Sequence, residues 1–500
     1  MIGENEFILL NRRGRLESPT DWNNPQREKL WLYNLHYFDD LNAYGAESRL
    51  EWHRRLIQRW IDENPPGVGN GWEPYPTSLR VVNWIKWDLR TRELGDEAIN
   101  CLGLQLRWLR RRLEYHLMGN HLLANAKALI YGGIYFDGTE AESWLRTGWR
   151  IFDEQLKEQI LPDGGHFELS PMYHLIVLED VLDVLNICWA YGLEVPEQWV
   201  EVARRMLQWG AVMCHPDGNI PFFNDAAFGV AGTYDELAEY AQRLFDYDGP
   251  RSIGSVHLSH SGYVRLENKD AVVLLDVAPL GPDYLPGHGH ADTLSLELSL
   301  FGHRVLVNSG TSVYESGPER QRQRSTEAHN TVVVDGENSS EVWGGFRVAR
   351  RAKLRILRCI PKSGIVVAEH DGYRRLPGEP LHRREVTLNS NSLTIRDVVI
   401  PASKANSLRK VAAMWHFHPS VKVTEANSQL LTVQTGPRFK LLIPTDVGSR
   451  EASLSVSGAT YAVLEQSTWH PEFGRSIPTW RLMLLYEGTL PVTLETELQW

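Results

Sequence analysis

The spacing of apolar residues divides the chain into a helical half and a β-rich half. Between residues 51 and 245, apolar positions recur every three to four residues with Arg or Glu between them, which is typical of amphipathic helices. The clearest helical segments are residues 144–160, 172–189, 199–213 and 236–245. Stretches rich in Gly and Pro separate these segments and predict loops. The first half of the chain is therefore predicted to be all-α.

The β-rich half follows Asp248-Gly249-Pro250. From residue 255 onward, β-branched residues alternate with polar ones in short runs, of which 271–277, 365–369, 392–399 and 492–494 are clear examples. This pattern predicts that the second half is all-β, with stacked antiparallel sheets. Because helices are followed by strands, two domains are predicted, residues 1–250 and 251–500, with a cleft between them as the default ligand site.

One stretch of the β-rich half, residues 286–330, brings polar side chains to three predicted strand ends. Its central strand is predicted to be half-buried, because leucines alternate at positions 294, 296, 298 and 300. The side chains at the strand ends are His288, His290, Asp292, Asn308 and His329. Imidazole and oxygen ligands on neighbouring strands can converge on one divalent ion. The stretch therefore predicts a metal site or a catalytic cluster, and ordinary polar residues at strand ends are the alternative interpretation.

Composition excludes several classes of function. The formal net charge of −11 gives no overall attraction to nucleic acid or to anionic membranes, so neither is an expected partner. No apolar run is long enough to span a membrane, and the first residues have neither the basic start nor the apolar region of a secretory signal. Localisation therefore stays open. Four cysteines without CxxC spacing predict reduced thiols rather than a disulfide framework.

Two polar clusters interrupt the predicted helices. Asn120 and His121 stand at a loop-to-helix junction, where Asn120 also suits a helix cap. Further along, Glu168 precedes a helix that opens with Pro, and Tyr173 and His174 lie just inside that helix. Phenol and imidazole groups can exchange protons in catalysis. Helix capping and ordinary packing are the alternative interpretations of these residues.

A basic segment, residues 319–324, lies just before His329 and is predicted to be a loop. Guanidinium groups match the geometry of carboxylate and sulfate, so Arg320 and Arg324 predict an anionic ligand. A solvated basic surface is the alternative. The chain also has 18 Trp and 18 Tyr residues, and such rings suit sugars as well as protein cores. Trp72 is assigned to substrate binding as one of these rings.

Four motifs, taken in order along the chain, resemble the heparinase II/III-like polysaccharide lyases. They are Asn120-His121, residues 163–174 (DGGHFELSPMYH), residues 287–292 (GHGHAD) and residues 325–336 (STEAHNTVVVDG). The resemblance covers most of the chain. It implies an incomplete α/α toroid followed by an antiparallel β-sandwich, with the substrate in a cleft between them. It also implies cleavage of a uronic-acid polymer by β-elimination, which leaves an unsaturated uronate.

The polymers of that family are heparin and heparan sulfate, chondroitin, hyaluronan or alginate, so the implied partner is an anionic polysaccharide. The resemblance gives Asn120 the role of neutralising the uronate carboxylate, and Tyr173 the role of general acid/base. His121 or His288 is the implied partner base. Removing the C5 proton builds a second negative charge beside the carboxylate, which is why a donor such as an amide is needed there. The expected substrate-binding residues are His174, Glu168, Arg320, Arg324 and Trp72.

The resemblance also implies one divalent metal ion, zinc, manganese or calcium. Its ligand positions fall on His290, Asn308 and His329. Asn308 departs from the family, in which we expect Asp at this position. An amide oxygen still binds a hard ion, but one negative charge is lost, so the ion is either held more weakly with help from Asp292 or lost.

Two other functions compete with the lyase. A glycoside hydrolase on an α/α toroid needs two carboxylates beside the scissile bond, and Glu168 and Asp225 are available. A non-catalytic protein that binds polysaccharide or takes part in its assembly is the second alternative. The sequence leaves open which polymer is bound, whether attack is internal or terminal, and the oligomeric state.

Overall fold

The computed structural model describes residues 1–250, 253–403, 408–425, 430–432 and 437–500. These residues form two compact units. Unit 1 comprises Met1–Gln159 and Val177–Ala203, and unit 2 comprises Ile160–Ile176 and Arg204–Trp500. The domain boundary at residue 250 stays a prediction, and the two units are described separately below.

The predicted helices form where the apolar spacing indicated them. The helices are α1 Lys29–Tyr37, α2 Leu50–Glu63, α3 Pro74–Thr91, α4 Asp96–Arg110, α5 Gly119–Tyr135, α6 Thr139–Gln159, α7 Pro171–Ala190, α8 Glu197–Met213, α9 Tyr234–Phe245 and α10 Pro318–Arg324. Local signals set several of their ends. For example, Thr233 and Glu236 form a reciprocal capping box at the start of α9.

The core of unit 1 is rich in tryptophan. The buried residues of α2 lie on one face of the helix, because they recur at helical spacing. They are His53, Leu56, Ile57 and Trp60. The guanidinium of Arg80, on α3, lies 3.8 Å from the ring of Trp60. Large rings of this kind bury much apolar surface, which stabilises the helical unit.

The second half is β-rich, as predicted. After the N-terminal hairpin of β1 (Glu6–Leu9) and β2 (Arg12–Arg15), the strands are β3 Val256–Leu258, β4 Tyr263–Glu267, β5 Ala271–Asp276, β6 Leu296–Leu300, β7 His303–Leu306, β8 Val332–Val334, β9 Val342–Trp343, β10 Arg347–Val348, β11 Leu354–Ile360, β12 Ile365–His370, β13 Pro380–Leu388, β14 Ser392–Pro401, β15 Arg409–His416, β16 Lys422–Glu425, β17 Leu430–Thr432, β18 Arg438–Thr445, β19 Gly448–Ser457, β20 Tyr461–Trp469, β21 Ile477–Gly488 and β22 Val492–Gln499.

Three antiparallel sheets of unit 2 share one apolar core. Their strand orders are β3-β4-β5-β6-β7, β17-β20-β21-β15-β8 and β11-β12-β13-β14-β22-β19-β18-β16. Buried side chains from all three sheets meet in this core, among them Val273, Leu298, Val386, Trp415 and Leu484. Alternating apolar residues therefore face inward across stacked sheets.

Two local expectations were wrong. Strand β6 is buried on both faces rather than one, because Glu297 on its polar face pairs with buried His215 and Arg304. The basic segment predicted to be a loop is helix α10, which starts at Pro318. The burial of Glu297 is possible because its charge is paired with Arg304 and hydrogen-bonded to His215, contacts that the alternation of leucines does not reveal.

The sequence predicts neither a membrane-spanning segment nor a disulfide framework, and the described residues bear on both. None of the helices there is long and apolar enough to cross a membrane. The four cysteines are all free, and Cys188 and Cys214 are buried.

Candidate active site

Asp225 is the centre of a buried polar cluster in unit 2. Its carboxylate is fully buried and accepts hydrogen bonds from Arg320, His288 and His290. Burial acts to raise the pKa of Asp225, but the charge and hydrogen bonds of Arg320 outweigh it and hold the pKa well below its usual value. Asp225 is therefore ionised, and it fixes the orientation of two imidazoles.

Tyr173 reaches this cluster from the first turn of α7. The hydroxyl of Ser170 accepts a hydrogen bond from the backbone N–H of Tyr173 at 3.1 Å and donates to the carbonyl of Asp225 at 2.5 Å. The tyrosine hydroxyl lies 3.0 Å from the hydroxyl of Tyr314. The helix cap thus ties the start of α7 to the polar cluster.

His288 lies against the ring of Tyr173. The two ring centroids are 4.0 Å apart, with 34° between the ring planes. Nδ1 of His288 is 2.9 Å from Oδ2 of Asp225, and Nε2 is 3.7 Å from a carboxylate oxygen of Glu168. Because ionised Asp225 can only accept, the neutral form of this imidazole has its proton on Nδ1 and its lone pair on Nε2.

Tyr314 is the other phenol of the cluster. Burial, followed by the charge of Asp225, raises the pKa of Tyr314 well above its usual value, so this hydroxyl stays protonated. The guanidinium of Arg320 lies 4.9 Å from the Tyr314 ring. Tyr314 is therefore a neutral hydrogen-bond partner for the hydroxyl of Tyr173.

The predicted anion-binding arginines are fully buried. Arg320 is bound to both carboxylate oxygens of Asp225 and donates from Nε to the carbonyl of Gly345 at 3.0 Å. Arg324 donates to the carbonyl of Gly289 at 2.9 Å and to the carbonyl of Gly344 at 3.2 Å. Their role in substrate binding stays a prediction, and in this structure their donors are bound to the protein itself.

His290 and His329 face each other across 3.1 Å, from Nδ1 to Nε2. The remaining nitrogen of His290 lies 2.9 Å from Oδ1 of Asp225, and that of His329 lies 2.8 Å from the carbonyl of Ser325. Burial lowers the pKa of His290 to about 4 and that of His329 well below its usual value, so both rings are neutral. If each proton sits on the nitrogen bound to oxygen, two lone pairs oppose each other. Metal-binding imidazoles are commonly held by such hydrogen bonds on the far nitrogen, so this pair fits a cation.

The remaining predicted ligands have other contacts. The carbonyl oxygen of Asn308 accepts a hydrogen bond from the backbone N–H of Asn330 at 3.0 Å, and Asp292 accepts one from the backbone N–H of Asn224 at 2.9 Å. Burial raises the pKa of Asp292 to about 7. Among the described residues, no group of three His, Cys, Asp or Glu side chains is arranged to hold a metal. The metal site therefore stays a prediction.

Asn120 and His121 begin α5 in unit 1. Nδ1 of His121 is 3.1 Å from a carboxylate oxygen of Glu114, and its ring lies 4.3 Å from that of Tyr75. The backbone N–H of Glu114 donates to the side-chain oxygen of Asn125 at 2.8 Å, and the side-chain amide of Asn125 donates to the carboxylate of Glu114 at 3.0 Å. The side chain of Asn120 is hydrogen-bonded to Tyr75. His121 is thus a second imidazole oriented by a carboxylate.

Two predicted substrate residues are buried in the protein. Trp72 is held in unit 1 by a hydrogen bond from its indole to the carbonyl of Asn64 at 3.1 Å, and its ring lies 5.6 Å from that of Trp60. His174 is fully buried in unit 2, with Nε2 3.0 Å from the carbonyl of Met206. Both have structural contacts, and their substrate role stays a prediction.

Sequence reasoning missed the central position of Asp225 and the presence of Tyr314. The sequence indicates Asp225 only as one carboxylate of a possible hydrolase pair. No sequence signal marks this position; in the structure, the neighbouring Asn224 has a positive φ of 56° and accepts a hydrogen bond from the backbone N–H of His290 at 3.0 Å. Such backbone conformations cluster at functional sites. Tyr314 has no sequence signal either.

Two family models match this chain. Residues 250–500 match the model described as Heparinase II/III-like, C-terminal, and residues 102–247 match the model described as Heparinase II/III N-terminus. A solved structure of heparinase III has a TM-score of 0.77 at 18% identity, covering 96% of this chain and 79% of that chain. This likeness confirms the predicted fold, an incomplete α/α toroid followed by an antiparallel β-sandwich.

Curated relatives match a smaller share of the chain than this solved structure does, at higher identity. The heparin-sulfate lyase of Bacteroides stercoris is 28% identical over 335 residues, which are 62% of this chain and 46% of that protein. FtsZ-localized protein C of Caulobacter vibrioides is 25% identical over 442 residues, which are 84% of this chain and 74% of that protein. The chain spans about half the length of the heparin-sulfate lyases it matches.

Proposed function

The chain belongs to the heparinase II/III-like family, and from this we propose that it is a polysaccharide lyase that cleaves a uronic-acid polymer by β-elimination. The observation that supports this most is the contact of Tyr173 with His288, whose rings are 4.0 Å apart. His288 in turn is hydrogen-bonded through Nδ1 to ionised Asp225. A phenol therefore lies beside an imidazole that Asp225 orients through Nδ1, so that the neutral ring offers Nε2 as a base, and elimination needs this pair of groups.

In the proposed reaction, Nε2 of His288 takes the proton from C5 of the uronate. The electron pair of that bond forms the C4–C5 double bond, and the bond from C4 to the glycosidic oxygen breaks. The Tyr173 hydroxyl protonates the leaving oxygen. Water is not consumed, and the products are an unsaturated uronate end and a free hydroxyl end. Asp225 stabilises the imidazolium that forms on His288.

Before C5 can lose its proton, the uronate carboxylate must be neutralised. We assign this role to Asn120, whose amide can donate to the carboxylate. His121 is the alternative base, since Glu114 holds its Nδ1 as Asp225 holds that of His288. Substitution of each histidine by Ala separates the two assignments, because the base is required for turnover and the other imidazole is not.

The proposal includes one divalent ion, zinc, manganese or calcium, with His290, Asn308 and His329 as its ligands. The opposed imidazole nitrogens, 3.1 Å apart, support a cation between His290 and His329. A bound ion supplies positive charge to the buried cluster around Asp225. The assignment of Asn308 as a ligand of this ion is supported by the family resemblance alone.

A glycoside hydrolase is less well supported. Its two carboxylates must reach the scissile bond or an attacking water. Asp225 is fully buried, and both of its oxygens are bound by Arg320. It is therefore a poor candidate for a general base that faces substrate.

A non-catalytic role is the second candidate. It is kept because the similarity to FtsZ-localized protein C, whose name refers to a location rather than to a reaction, extends over 84% of this chain, against 62% for the heparin-sulfate lyase of Bacteroides stercoris. On this alternative, the chain binds a polysaccharide or another partner without cutting it. Turnover then distinguishes the two candidates.

The test is a screen of the full chain against heparan sulfate, chondroitin, hyaluronan and alginate. A lyase produces ultraviolet absorbance from the conjugated uronate as polymer size falls, whereas a hydrolase shortens the polymer without this absorbance. Tyr173→Phe should lower the rate by about a hundredfold or more. Tyr191→Phe, which alters an exposed tyrosine, serves as the matched control. Equal rates for the two variants would overturn the assignment of Tyr173, and binding without turnover would favour the non-catalytic candidate.

A further inference from the structure

A short hairpin of unit 2 carries an exposed aromatic ring beside an exposed cation. Strands β9 and β10 pair antiparallel, with Trp343 opposite Arg347 and Val342 opposite Val348. Directly opposed residues of such a pair project from the same face. Val342 is buried, whereas Trp343 is 57% exposed and Arg347 is also exposed. The hairpin therefore presents an indole and a guanidinium together to solvent.

Side chains of helix α10 donate hydrogen bonds to backbone carbonyls of this hairpin. Arg320 donates to the carbonyl of Gly345 at 3.0 Å, and Arg324 donates to the carbonyl of Gly344 at 3.2 Å. The side chain of Gln321 also donates to the carbonyl of Gly344. Three side chains of α10 therefore donate hydrogen bonds to the turn between β9 and β10. This fixes the turn without using the side chains of Trp343 or Arg347.

The hairpin is continuous with the proposed catalytic cluster. The ring of Phe346, in the turn, lies 5.9 Å from that of His288 and 5.3 Å from that of Tyr314. Arg320, which holds the turn, also forms the ion pair with Asp225. The hairpin therefore adjoins His288, the proposed position of the uronate, through the ring of Phe346.

Arg347 differs from the arginines that follow it. Arg350 lies 3.7 Å from Glu341 and Arg351 lies 2.6 Å from Asp283. Within the part of the chain that the structure describes, Arg347 has no ion pair and no side-chain hydrogen bond. An exposed guanidinium without an internal partner, beside a flat ring, suits a ligand that has both an apolar face and an anionic group. A sugar ring with a carboxylate or sulfate has both.

We propose that Trp343 and Arg347 form a binding platform for an anionic sugar unit of the polymer, next to the catalytic cluster. The sugar ring stacks on the indole, and its carboxylate or sulfate pairs with the guanidinium. The inference rests on the proposed function and deepens it, because it names the surface that holds the substrate. It also separates two sets of arginines: Arg320 and Arg324 position the hairpin, and Arg347 contacts the anion.

The test measures binding separately from turnover. Dissociation constants for heparan sulfate, chondroitin, hyaluronan and alginate are measured by calorimetry with the full chain carrying Tyr173→Phe, and kcat and KM are measured with Tyr173 intact. The platform is altered by Trp343→Ala, Trp343→Tyr and Arg347→Ala. The matched controls are Trp480→Ala, which removes a ring that is 38% exposed, and Arg358→Ala, which removes another exposed guanidinium.

We expect Trp343→Ala and Arg347→Ala each to raise Kd and KM about tenfold and to leave kcat within about twofold. Trp343→Tyr should retain most of the binding because it keeps a flat ring. The loss in Arg347→Ala should shrink at high salt, since salt screens the charge pair in the unaltered platform. Both controls should bind as the parent protein does.

The outcomes separate this inference from the proposed function. If the parent protein cuts a polymer and the platform variants match their controls, the platform is overturned and the lyase stands. If the parent protein binds a polymer through Trp343 and Arg347 but does not cut it, the platform stands and the lyase is overturned. If none of the four polymers binds or is cut, both are overturned.

Discussion

The imidazole of His288 and the carboxylate of Asp225 are joined by a hydrogen bond of 2.9 Å from Nδ1 to Oδ2. The same carboxylate binds Arg320 and is fully buried. One residue therefore compensates a buried guanidinium and orients the proposed catalytic imidazole. Stability and activity are expected to depend together on Asp225.

Asp225→Asn removes the negative charge with little change of shape. We expect it to lower the free energy of unfolding by about 3–5 kcal/mol, because it leaves the buried guanidinium of Arg320 without a counter-charge. Urea unfolding followed by circular dichroism measures the loss. Asp283→Asn is the control, since it breaks an exposed pair with Arg351 and should cost at most about 1 kcal/mol. Equal stability of the two variants would show that Asp225 has no such role.

Tyr314→Phe removes the hydroxyl that lies 3.0 Å from that of Tyr173 and keeps the ring. The hydroxyl of Tyr314 stays protonated, so it can donate to the oxygen of Tyr173 whenever that group gives up its proton. Loss of this donor should lower kcat and move the limb of the pH–rate profile that reports Tyr173 to higher pH. Thermal unfolding should change little, because the contacts of the ring remain. A profile identical to that of the parent protein would contradict the pairing.

Buried neutral histidines should make stability depend on pH. Burial lowers the pKa of His36 and of His174 to about 3 each, against about 6.5 in an unfolded chain. Between these values the unfolded state binds more protons, so stability is fully present above about pH 6.5 and falls as the pH drops toward about 3. The slope from each histidine reaches about 1.4 kcal/mol per pH unit.

Urea unfolding at several pH values between about 8 and about 5 measures this slope. His260 is exposed, so His260→Gln is the control that should leave the slope unchanged. Burial raises the pKa of Asp292 and of Glu297 to about 7 each, so these carboxyl groups bind more protons in the folded state and act in the opposite direction over part of this range. The histidine contribution is therefore read as the difference in slope between the parent protein and His174→Gln. Equal slopes would contradict a neutral, buried His174.

The proposed metal can be tested through stability alone. If His290 and His329 hold a divalent ion, a chelator should lower the Tm of the parent protein, and zinc, manganese or calcium should restore it. His329→Gln should lower the Tm and abolish the effect of the chelator. Elemental analysis of the purified chain identifies the ion. A Tm that is the same with and without chelator would exclude a stabilising metal.

Some features could be predicted because they depend on neighbours along the chain. The periodicity of apolar residues predicted helices α6 to α9 closely, and Pro171 predicted the start of the helix that carries Tyr173. Motif order predicted the fold that the heparinase III structure confirms. The helix signals are local, since apolar periodicity and helix-start residues involve positions close to each other in the chain.

The sequence by itself therefore determined the two architectures, the order of the motifs and the residue types available for chemistry. Only the tertiary structure decided that Asp225 is a buried counter-charge, that Arg320 and Arg324 hold a hairpin, and that Trp343 and Arg347 are the exposed pair. The physical reason is that burial and pairing of a charged side chain depend on partners far away in the chain. Arg320 lies 95 positions from Asp225, and no local pattern predicts that contact.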